Sequence, residues 1–379
     1  MESKADLVAG LPPFLYSRYR KQAVIVDGRV SPLIPVLSGV PQGTVLGPVL
    51  FLIHIRNIAS GLSQATSATS FADDTRVQRG VKTAGDCADL QADLNHIYQW
   101  ATAVNMQFNS EKFECLRFWA DPDKAPSAQY LAPDSSPIVV KTDLRDLGVR
   151  ISSSLSFQIH IENTILAASR LVGWGLRAFK GRGRPVMLTL LKTLVQPKLD
   201  YCSQLWSPSD QASINKLELV QKHLVDRIRC SQLVNLNYWE KLSHLHLYSQ
   251  ERRRERYMII FLWKISQGLV SGYQVQFTSD MGRRGRSVVP NPVVRAAPAV
   301  VRTARERSLG VKGALIFNLL PDKLRSMNSQ HIDYFKNHLD VFLSSIPDQP
   351  TVPGLGRAAE SNSLLHQLPL FYSMTVSQY

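Results

Sequence analysis

The stretch TSFADDTRVQ, residues 69–78, decides the fold of the N-terminal part of this chain. Residues with strand propensity flank a short acidic segment, a pattern typical of a β-hairpin. We predict that the hairpin turns at Asp73-Asp74. Adjacent side chains of a straight strand point to opposite faces, whereas a tight turn lets two neighbouring carboxylates approach the same ion. An Asp-Asp pair can also be simply a favoured turn dipeptide.

Further hairpin and helix signals surround this stretch. Residues 22–37 predict an earlier hairpin, because Asp27-Gly28 supplies the positive φ angles of a two-residue turn. A Gly/Pro-rich loop from Ser38 to Gly47 precedes a predicted helix from Pro48 to Ile58. Residues 86–104 have helical spacing, with four apolar side chains on one face: Leu90, Leu94, Ile97 and Ala101. A strand over Phe113–Trp119 completes a predicted antiparallel sheet with helices on one side, which indicates an α+β fold.

The pattern becomes helical in the second half of the chain. An exposed loop is predicted at 120–140, followed by helices at 158–179, 186–199, 210–229 and 249–266. Residues 279–307 are rich in Pro and Arg, and we expect a flexible linker there. The predicted divisions are therefore 1–120, a loop region 121–145, a helical region 146–278, the linker 279–307, a small globular region 308–346 and a disordered tail 347–379.

The charge balance favours a polyanionic partner. Lys and Arg outnumber Asp and Glu by 44 to 30, which gives a formal net charge of +14, and basic residues near phosphates release condensed counterions. Of three basic clusters, 180–184, 252–256 and 283–286, we expect Arg252, Arg253 and Arg254 to contact nucleic acid, although a solvated charged face is the alternative. Trp174 and Trp206 are expected in the core.

Cysteine spacing and apolar runs bear on the compartment. The four cysteines include no Cys-x-x-Cys pair, which favours a reducing, intracellular environment without distinguishing nucleus from cytoplasm. The longest apolar run, Met258–Trp263, is far shorter than the ~20 residues of a membrane span. We expect no membrane anchor.

Four segments occur in an order that resembles a known family. They are Ser38–Pro48 with Pro41-Gln42-Gly43, Phe71–Asp74, Asn105–Asn109 with Lys112, and Asp146–Val149. This order resembles motifs B, C, D and E of the reverse transcriptase palm in non-LTR (LINE-type) retrotransposons. Downstream segments, such as Leu199-Asp200-Tyr201-Cys202 and Asn318–Pro321, resemble the thumb and C-terminal region of the same elements. The resemblance extends from about Leu15 to Pro347.

The resemblance implies roles for individual residues. It implies an RNA-directed DNA polymerase that uses Mg²⁺, an RNA template and a DNA primer, with a partial palm at 1–120 and a helical thumb at 146–278. Asp73 would be the principal metal ligand and Asp74 its neighbour. Gln42 and Gly43 would contact the incoming nucleotide and the template, Lys112 would lie near the triphosphate, and Gly148 would form the primer-grip turn. For the motif B segment the alternative is a purely structural loop. For Lys112 the alternative is a solvated lysine without a ligand.

The family also uses a motif A carboxylate on a strand well upstream of Gln22. The sequence begins about twenty residues before Gln22, Asp6 lies too close to Gln22 for that strand, and Asp27 belongs to a hairpin turn. We therefore expect an N-terminally truncated chain, without fingers or endonuclease, that synthesises no DNA by itself. Two alternatives are a non-catalytic nucleic-acid-binding protein and a non-functional fragment that folds poorly because its sheet exposes an edge.

Overall fold

A computed structural model of the chain describes residues 20–36, 39, 43–119, 126, 128–273, 275–278, 287–292, 299–328, 331–350 and 361–376. These residues form two compact units. The first unit contains the described residues up to Cys115 and those within Asp121–Val140. The second unit contains the described residues within Leu116–Ala120 and those from Lys141 onward. Helices and short strands alternate in the first unit, whereas helices dominate the second. The chain therefore combines helices with short strands, as predicted.

Short strands and two helices occur before residue 120. The strands are β1 (Lys21–Gln22), β2 (Ile25–Val26), β3 (Arg29–Val30), β4 (Ile34–Pro35), β5 (Thr66–Phe71), β6 (Asp74–Arg79) and β7 (Glu114–Leu116). The helices are α1 (Leu46–Ile55) and α2 (Ala84–Ala103). Three further strands follow: β8 (Val139–Lys141), β9 (Asp143–Asp146) and β10 (Val149–Ser152).

The strands form separate pairs rather than the single sheet that the sequence predicts. Each of the five two-stranded sheets in the described residues stands alone: β1–β4, β2–β3, β5–β6, β7–β8 and β9–β10. The predicted hairpin at Asp27-Gly28 is confirmed, with Val26 opposite Arg29 and both turn residues at positive φ. Because each of these strands bonds to a single partner strand, the expectation of one continuous sheet is wrong for the described residues.

Helix α2 organises the small core of the first unit. A capping box at its N-terminus joins Thr83 and Asp86, which satisfies backbone N–H groups that the helix leaves unbonded. Its buried face carries Cys87, Ile97 and Ala101, close to the predicted stripe. Residues 128–138, predicted as an exposed loop, pack on α2 instead, and three of them are buried: Tyr130, Ala132 and Ile138. Gln91 and Tyr98 of α2 hydrogen-bond the backbone of Leu131, which satisfies its polar groups.

The second unit is built from twelve described helices. They are α3 (Gln158–Ala178), α4 (Arg184–Leu190), α5 (Gln196–Asp200), α6 (Ser203–Trp206), α7 (Gln211–Val225), α8 (Tyr238–His244), α9 (Gln250–Ser266), α10 (Ala299–Glu306), α11 (Ala314–Asn318), α12 (Asp322–Arg325), α13 (Ile332–Ser344) and α14 (Leu364–Val376). A π-helical turn, Leu191–Val195, joins α4 to α5, and another, Leu309–Gly313, precedes α11. The four predicted helices of this region are confirmed, whereas α6 and α8 were not predicted.

Two hydrophobic clusters form the core of the second unit. The first joins α3 to α8 around Trp206 and Leu217, and the second surrounds the C-terminal half of α9. In the second cluster the Trp263 ring stacks on Phe335, with ring centroids 4.5 Å apart. The Gln250 amide at the start of α9 donates to Glu218 of α7 at 2.7 Å, so α9 links the helices of the first cluster to the second.

The predicted disordered tail is wrong where it is described. Helix α14 buries Leu364 and Leu368 in the second cluster, and Leu364 donates its backbone N–H to Glu255 at 2.7 Å. The predicted linker 279–307 also contains ordered residues: Val288 is buried and bonds Asn318, and α10 lies within it. Although the composition of both segments is typical of loops, burial of a few apolar side chains (Val288, Leu364 and Leu368) packs them against the rest of the unit.

No described helix is long and apolar enough to cross a membrane.

Candidate metal site at the Asp73–Asp74 hairpin

The β5–β6 hairpin presents two adjacent carboxylates at its tip. Phe71 pairs with Asp74, so the two turn residues are Ala72 and Asp73 rather than the predicted Asp73-Asp74. Ala72 adopts a positive φ of 51°, which the tight turn requires at this position. Asp73 thus lies in the turn, and Asp74 is the first residue of β6. Beside the turn, the hydroxyls of Ser70 and Thr75 hydrogen-bond across the strands at 2.9 Å.

Both carboxylates face solvent. Asp73 and Asp74 are exposed, and among the described residues no ion pair joins either one to a basic side chain. The carboxylates are therefore available to an external cation. Over the same part of the chain, no group of three or more His, Cys, Asp or Glu residues is arranged to hold a metal ion.

Arg79 anchors the opposite end of the hairpin. Its guanidinium donates to Ser63 Oγ at 2.6 Å and Thr66 Oγ1 at 3.1 Å, and it pairs with Asp89 at 2.5 Å and Asp93 at 3.6 Å. Although burial opposes it, hydrogen bonds from Thr66 and Ser63, together with the charge of Arg79, lower the pKa of Asp93. The hairpin is thus fixed at its base by ionic contacts and is open at its tip. Sequence patterns did not reveal this network, because Arg79 lies outside every basic cluster.

The motif B segment is partly described. Gln42 lies outside the described residues. Gly43 has a positive φ of 74°, and no atom lies within 4 Å of the position that a Cβ would take, so backbone conformation, and not crowding, favours glycine there. Just after it, Thr44 Oγ1 accepts a hydrogen bond from the Gly47 amide at 3.1 Å and so satisfies one amide in the first turn of α1.

Lys112 ends a single 3-10 turn, Ser110–Lys112, which Asn109 caps by accepting the Glu111 amide. Its side chain is exposed. In the described part of the chain, no hydrogen bond or ion pair joins Lys112 to Asp73 or Asp74. The proximity of Lys112 to a bound triphosphate therefore stays a prediction.

Gly148 lies in the second unit, at the turn between β9 and β10. Leu147 and Gly148 have φ angles of 44° and 88°, so this hairpin uses the same kind of turn as Asp27-Gly28. Tyr201 covers it: its hydroxyl donates to the Leu147 carbonyl at 2.7 Å, and its ring lies 3.4 Å from the position of a Cβ on Gly148. A side chain at residue 148 would strain the backbone because φ is positive there, whereas its Cβ would lie at ordinary contact distance from Tyr201.

The predicted nucleic-acid contacts at Arg252, Arg253 and Arg254 do not agree with the structure. Arg252 and Arg254 are 0% and 1% exposed. Arg252 donates to the Pro347 carbonyl at 2.9 Å, and Arg254 donates to Ser207 Oγ at 3.3 Å. The prediction is wrong for these two residues, because a phosphate cannot reach guanidinium groups inside the core.

Arg253 is also committed to an internal partner. It forms a two-pronged ion pair with Asp200, in which Nε and Nη2 lie 2.9 and 2.7 Å from the carboxylate oxygens. The Arg253 side chain is 23% exposed and that of Asp200 is 14% exposed. Burial lowers the pKa of Arg253, but its hydrogen bonds and Coulomb attraction to Asp200 outweigh burial and raise it. The pair ties the start of α9 to the end of α5.

Comparison with known proteins shows what this part of the chain is similar to. Residues 12–151 match the family model described as reverse transcriptase (RNA-dependent DNA polymerase). This segment includes the Asp73–Asp74 hairpin and the Gly148 turn. The predicted resemblance to reverse transcriptases of non-LTR retrotransposons is therefore confirmed.

Three similar curated proteins are polymerases of mobile elements. The chain is 27% identical over 219 residues to the RNA-directed DNA polymerase from mobile element jockey of Drosophila melanogaster, an alignment that covers 54% of this chain and 23% of the relative. The jockey polymerase of Drosophila funebris is 26% identical over 219 residues, covering 55% and 24%. The probable RNA-directed DNA polymerase from transposon X-element of Drosophila melanogaster is 25% identical over 213 residues, covering 54% and 23%. The chain thus spans about a quarter of the length of these relatives.

Proposed function

We propose that the β5–β6 hairpin is the metal-binding hairpin of an RNA-directed DNA polymerase palm and that Asp73 and Asp74 bind Mg²⁺ there. The observation that carries this proposal is the hairpin tip, where Asp73 in the turn and Asp74 at the start of β6 are adjacent and exposed within the segment that matches the reverse transcriptase family. In this proposal the substrates are an RNA template and a DNA primer.

The donor set suits Mg²⁺. This ion prefers oxygen ligands and is commonly held in polymerase sites by one or two carboxylates, with substrate phosphates and waters completing the shell. When bound, Mg²⁺ stabilises the negative charge that develops on the attacking and leaving oxygens of nucleotidyl transfer. Asp73 and Asp74 contribute two carboxylates without competing ion pairs among the described residues. The ion pairs of Arg79 with Asp89 and Asp93 fix the base of the β5–β6 hairpin and so limit the motion of the tip that carries Asp73 and Asp74.

Other residues of the resemblance take supporting roles. Gln42 and Gly43 contact the incoming nucleotide and the template, and Lys112 neutralises charge on the triphosphate. In the second unit, the rigid turn at Gly148 contacts the primer strand as a primer grip. The helices from α3 to α9 act as the thumb.

We further propose that this chain does not synthesise DNA by itself. Two-metal catalysis places two ions roughly 3.5–4 Å apart. Among the described residues no third His, Cys, Asp or Glu side chain joins Asp73 and Asp74 in a metal-binding group, and two carboxylates alone leave much of the charge of two ions without protein ligands. A loss of such electrostatic stabilisation commonly costs about 3–4 kcal/mol for a single donor, or roughly two to three orders of magnitude in rate.

Metal binding can be tested separately from catalysis with Mn²⁺, a paramagnetic substitute for Mg²⁺. We would titrate the full chain with Mn²⁺ and measure free ion by electron paramagnetic resonance. The variants D73N and D74N are expected to weaken binding several-fold, because each removes a charged oxygen ligand. D27N is the matched control: Asp27 is also exposed in a two-residue hairpin turn, but its neighbour is Gly28. Equal binding by D73N, D27N and the unaltered chain would contradict the proposed site.

Primer extension tests the proposed lack of activity. The full chain would be incubated with an RNA template, a DNA primer, nucleotides and Mg²⁺, and products would be separated by length. We expect no extension above the level of a D73A variant. Mg²⁺-dependent synthesis that D73A abolishes would refute the proposed inactivity while supporting the metal site, so the two parts of the proposal can fail independently.

A further inference from the structure

One exposed face of α3 combines basic and aromatic side chains. Arg170, Trp174 and Arg177 lie three or four residues apart and therefore project from the same side of the helix, and all three are exposed. Phe179 and Lys180 follow directly after the helix and are exposed too. We refer to these five residues as the Trp174 face.

The aromatic part of this face is unusual because large aromatic rings normally contribute to the core. Trp174 is 49% exposed and Phe179 is 42% exposed, whereas Trp206 in the same unit is 1% exposed. The Trp174 and Phe179 rings meet edge to face, with centroids 6.1 Å apart. This contact holds the indole while leaving about half of Trp174 open to solvent. The expectation that Trp174 lies in the core is therefore wrong.

The segment of sequence that carries this face has only positive charges. Between Glu162 and Asp200 the sequence has seven basic residues and no acidic residue: Arg170, Arg177, Lys180, Arg182, Arg184, Lys192 and Lys198. None of the seven forms an ion pair with an acidic side chain in the described parts of the chain. The α9 arginines differ, since Arg253 and Arg256 pair with Asp200 and Asp340. Within the described residues, positive charge without an acidic partner is therefore present in the segment that contains Trp174, whereas Arg253 and Arg256 are paired.

The helix that carries the Trp174 face is packed against the core on its opposite side. The opposite side of α3 is buried in the first hydrophobic cluster through Ile161, Ala168 and Val172, each at most 2% exposed. The basic loop after the helix is held by the Arg229 amide, which donates to the Arg182 carbonyl at 2.7 Å. Ligand groups on a helix backed by a packed core need little reordering on binding.

We infer that the Trp174 face binds single-stranded nucleic acid. One base stacks on the open indole, and phosphates of the same strand lie against Arg170, Arg177 and Lys180. Exposed aromatic rings beside a positive surface are the combination by which proteins hold single strands without reading their sequence. A basic segment without acidic residues also favours a polyanion over an ordinary protein partner. This inference concerns the second unit and does not depend on metal binding at Asp73 and Asp74.

The test is binding of the full chain to fluorescein-labelled oligo-U RNA and oligo-dT DNA, measured by fluorescence anisotropy. Trp174→Ala is expected to weaken binding roughly 5- to 150-fold, the range for one lost stacking contact. Trp174→Phe keeps an aromatic face and should restore most of the affinity. Arg170→Gln and Arg177→Gln should each make the slope of log affinity against log salt concentration shallower by roughly 0.7.

Two variants serve as matched controls. Tyr334→Ala removes a ring that is 52% exposed on α13, and Lys216→Gln removes an exposed charge on α7; neither should change affinity by more than about twofold. Circular dichroism of each variant checks that the fold is retained.

Three results would overturn the inference. The first is an unchanged affinity in Trp174→Ala, and the second is an equal loss on a blunt duplex of the same length, where no base is free to stack. The third is a change in molar mass by light scattering without a change in affinity, which would mean that a second copy of the chain occupies the face. The separate RNA and DNA probes show which single strand binds more tightly.

Discussion

Glu218 provides a quantitative test of the buried polar network in the second unit. Its carboxylate is 2% exposed. It accepts hydrogen bonds from the Tyr238 hydroxyl and, at 2.7 Å, from the Gln250 amide. Burial raises the pKa of Glu218 from an ordinary 4.5 to about 7, against the opposing effect of these hydrogen bonds.

This pKa difference makes stability depend on pH. Between about pH 4.5 and 7 the folded chain keeps the Glu218 proton that the unfolded chain has lost, so the free energy of unfolding falls as pH rises and levels off above pH 7. Each unit of pKa corresponds to about 1.4 kcal/mol. Ionisation of Glu218 therefore lowers the free energy of unfolding by about 3 kcal/mol in total.

Glu218→Gln removes this dependence because the amide cannot ionise. We would measure urea unfolding by circular dichroism at pH 5 and pH 8 for both proteins. The drop between the two pH values should be smaller in the variant by about 2–3 kcal/mol. Other titrating groups affect both proteins alike and cancel. Glu240→Gln alters an exposed carboxylate on α8 and is the matched control. A drop in Glu218→Gln within about 0.5 kcal/mol of the unaltered chain would refute the reasoning.

Two further predictions concern how the helices are held together. In urea unfolding, Asp200→Asn should destabilise the second unit by about 1–3 kcal/mol, since it leaves the largely buried Arg253 without its charged acceptor. Lys336→Gln is the control and should show no change, because its partner Asp333 lies on the surface. Equal effects of the two substitutions would contradict the burial of the Arg253–Asp200 pair. Leu368→Ala should lower the free energy of unfolding by about 2–5 kcal/mol, because the Leu368 side chain is fully buried. Leu370 is 43% exposed, so Leu370→Ala should change that free energy by no more than about 0.5 kcal/mol. An unchanged stability of Leu368→Ala would mean that α14 does not pack on the second cluster.

Local features were predictable because they depend on neighbouring residues. Asp27-Gly28 determines its turn through backbone conformation alone, and the apolar spacing of 86–104 reveals the buried face of α2. The β5–β6 hairpin was also predicted, but its turn was placed one residue late. The dipeptide Asp73-Asp74 is a good turn former, whereas the strand register that pairs Phe71 with Asp74 is a property of the whole ladder.

Long-range pairing was not predictable. Whether an arginine of α9 faces solvent depends on partners far along the chain, such as Asp200 for Arg253 and the Pro347 carbonyl for Arg252. The exposure of Trp174 has a similar origin, since helical spacing shows that it shares a face with Arg170 but not that this face is left uncovered. Helix α14 was missed because Pro369 lies inside it, and proline normally argues against a helix.

The central claim, that the tip of the β5–β6 hairpin binds the divalent ion, is tested most directly by locating the ion. Mn²⁺ broadens nuclear magnetic resonance signals of nearby amides, so it can be added in small amounts to the ¹⁵N-labelled chain. We predict that the amide signals of residues 71–75 broaden first, while those of the Asp27-Gly28 turn persist. Equal broadening at the two turns, or broadening that begins elsewhere in the chain, would contradict the proposed site.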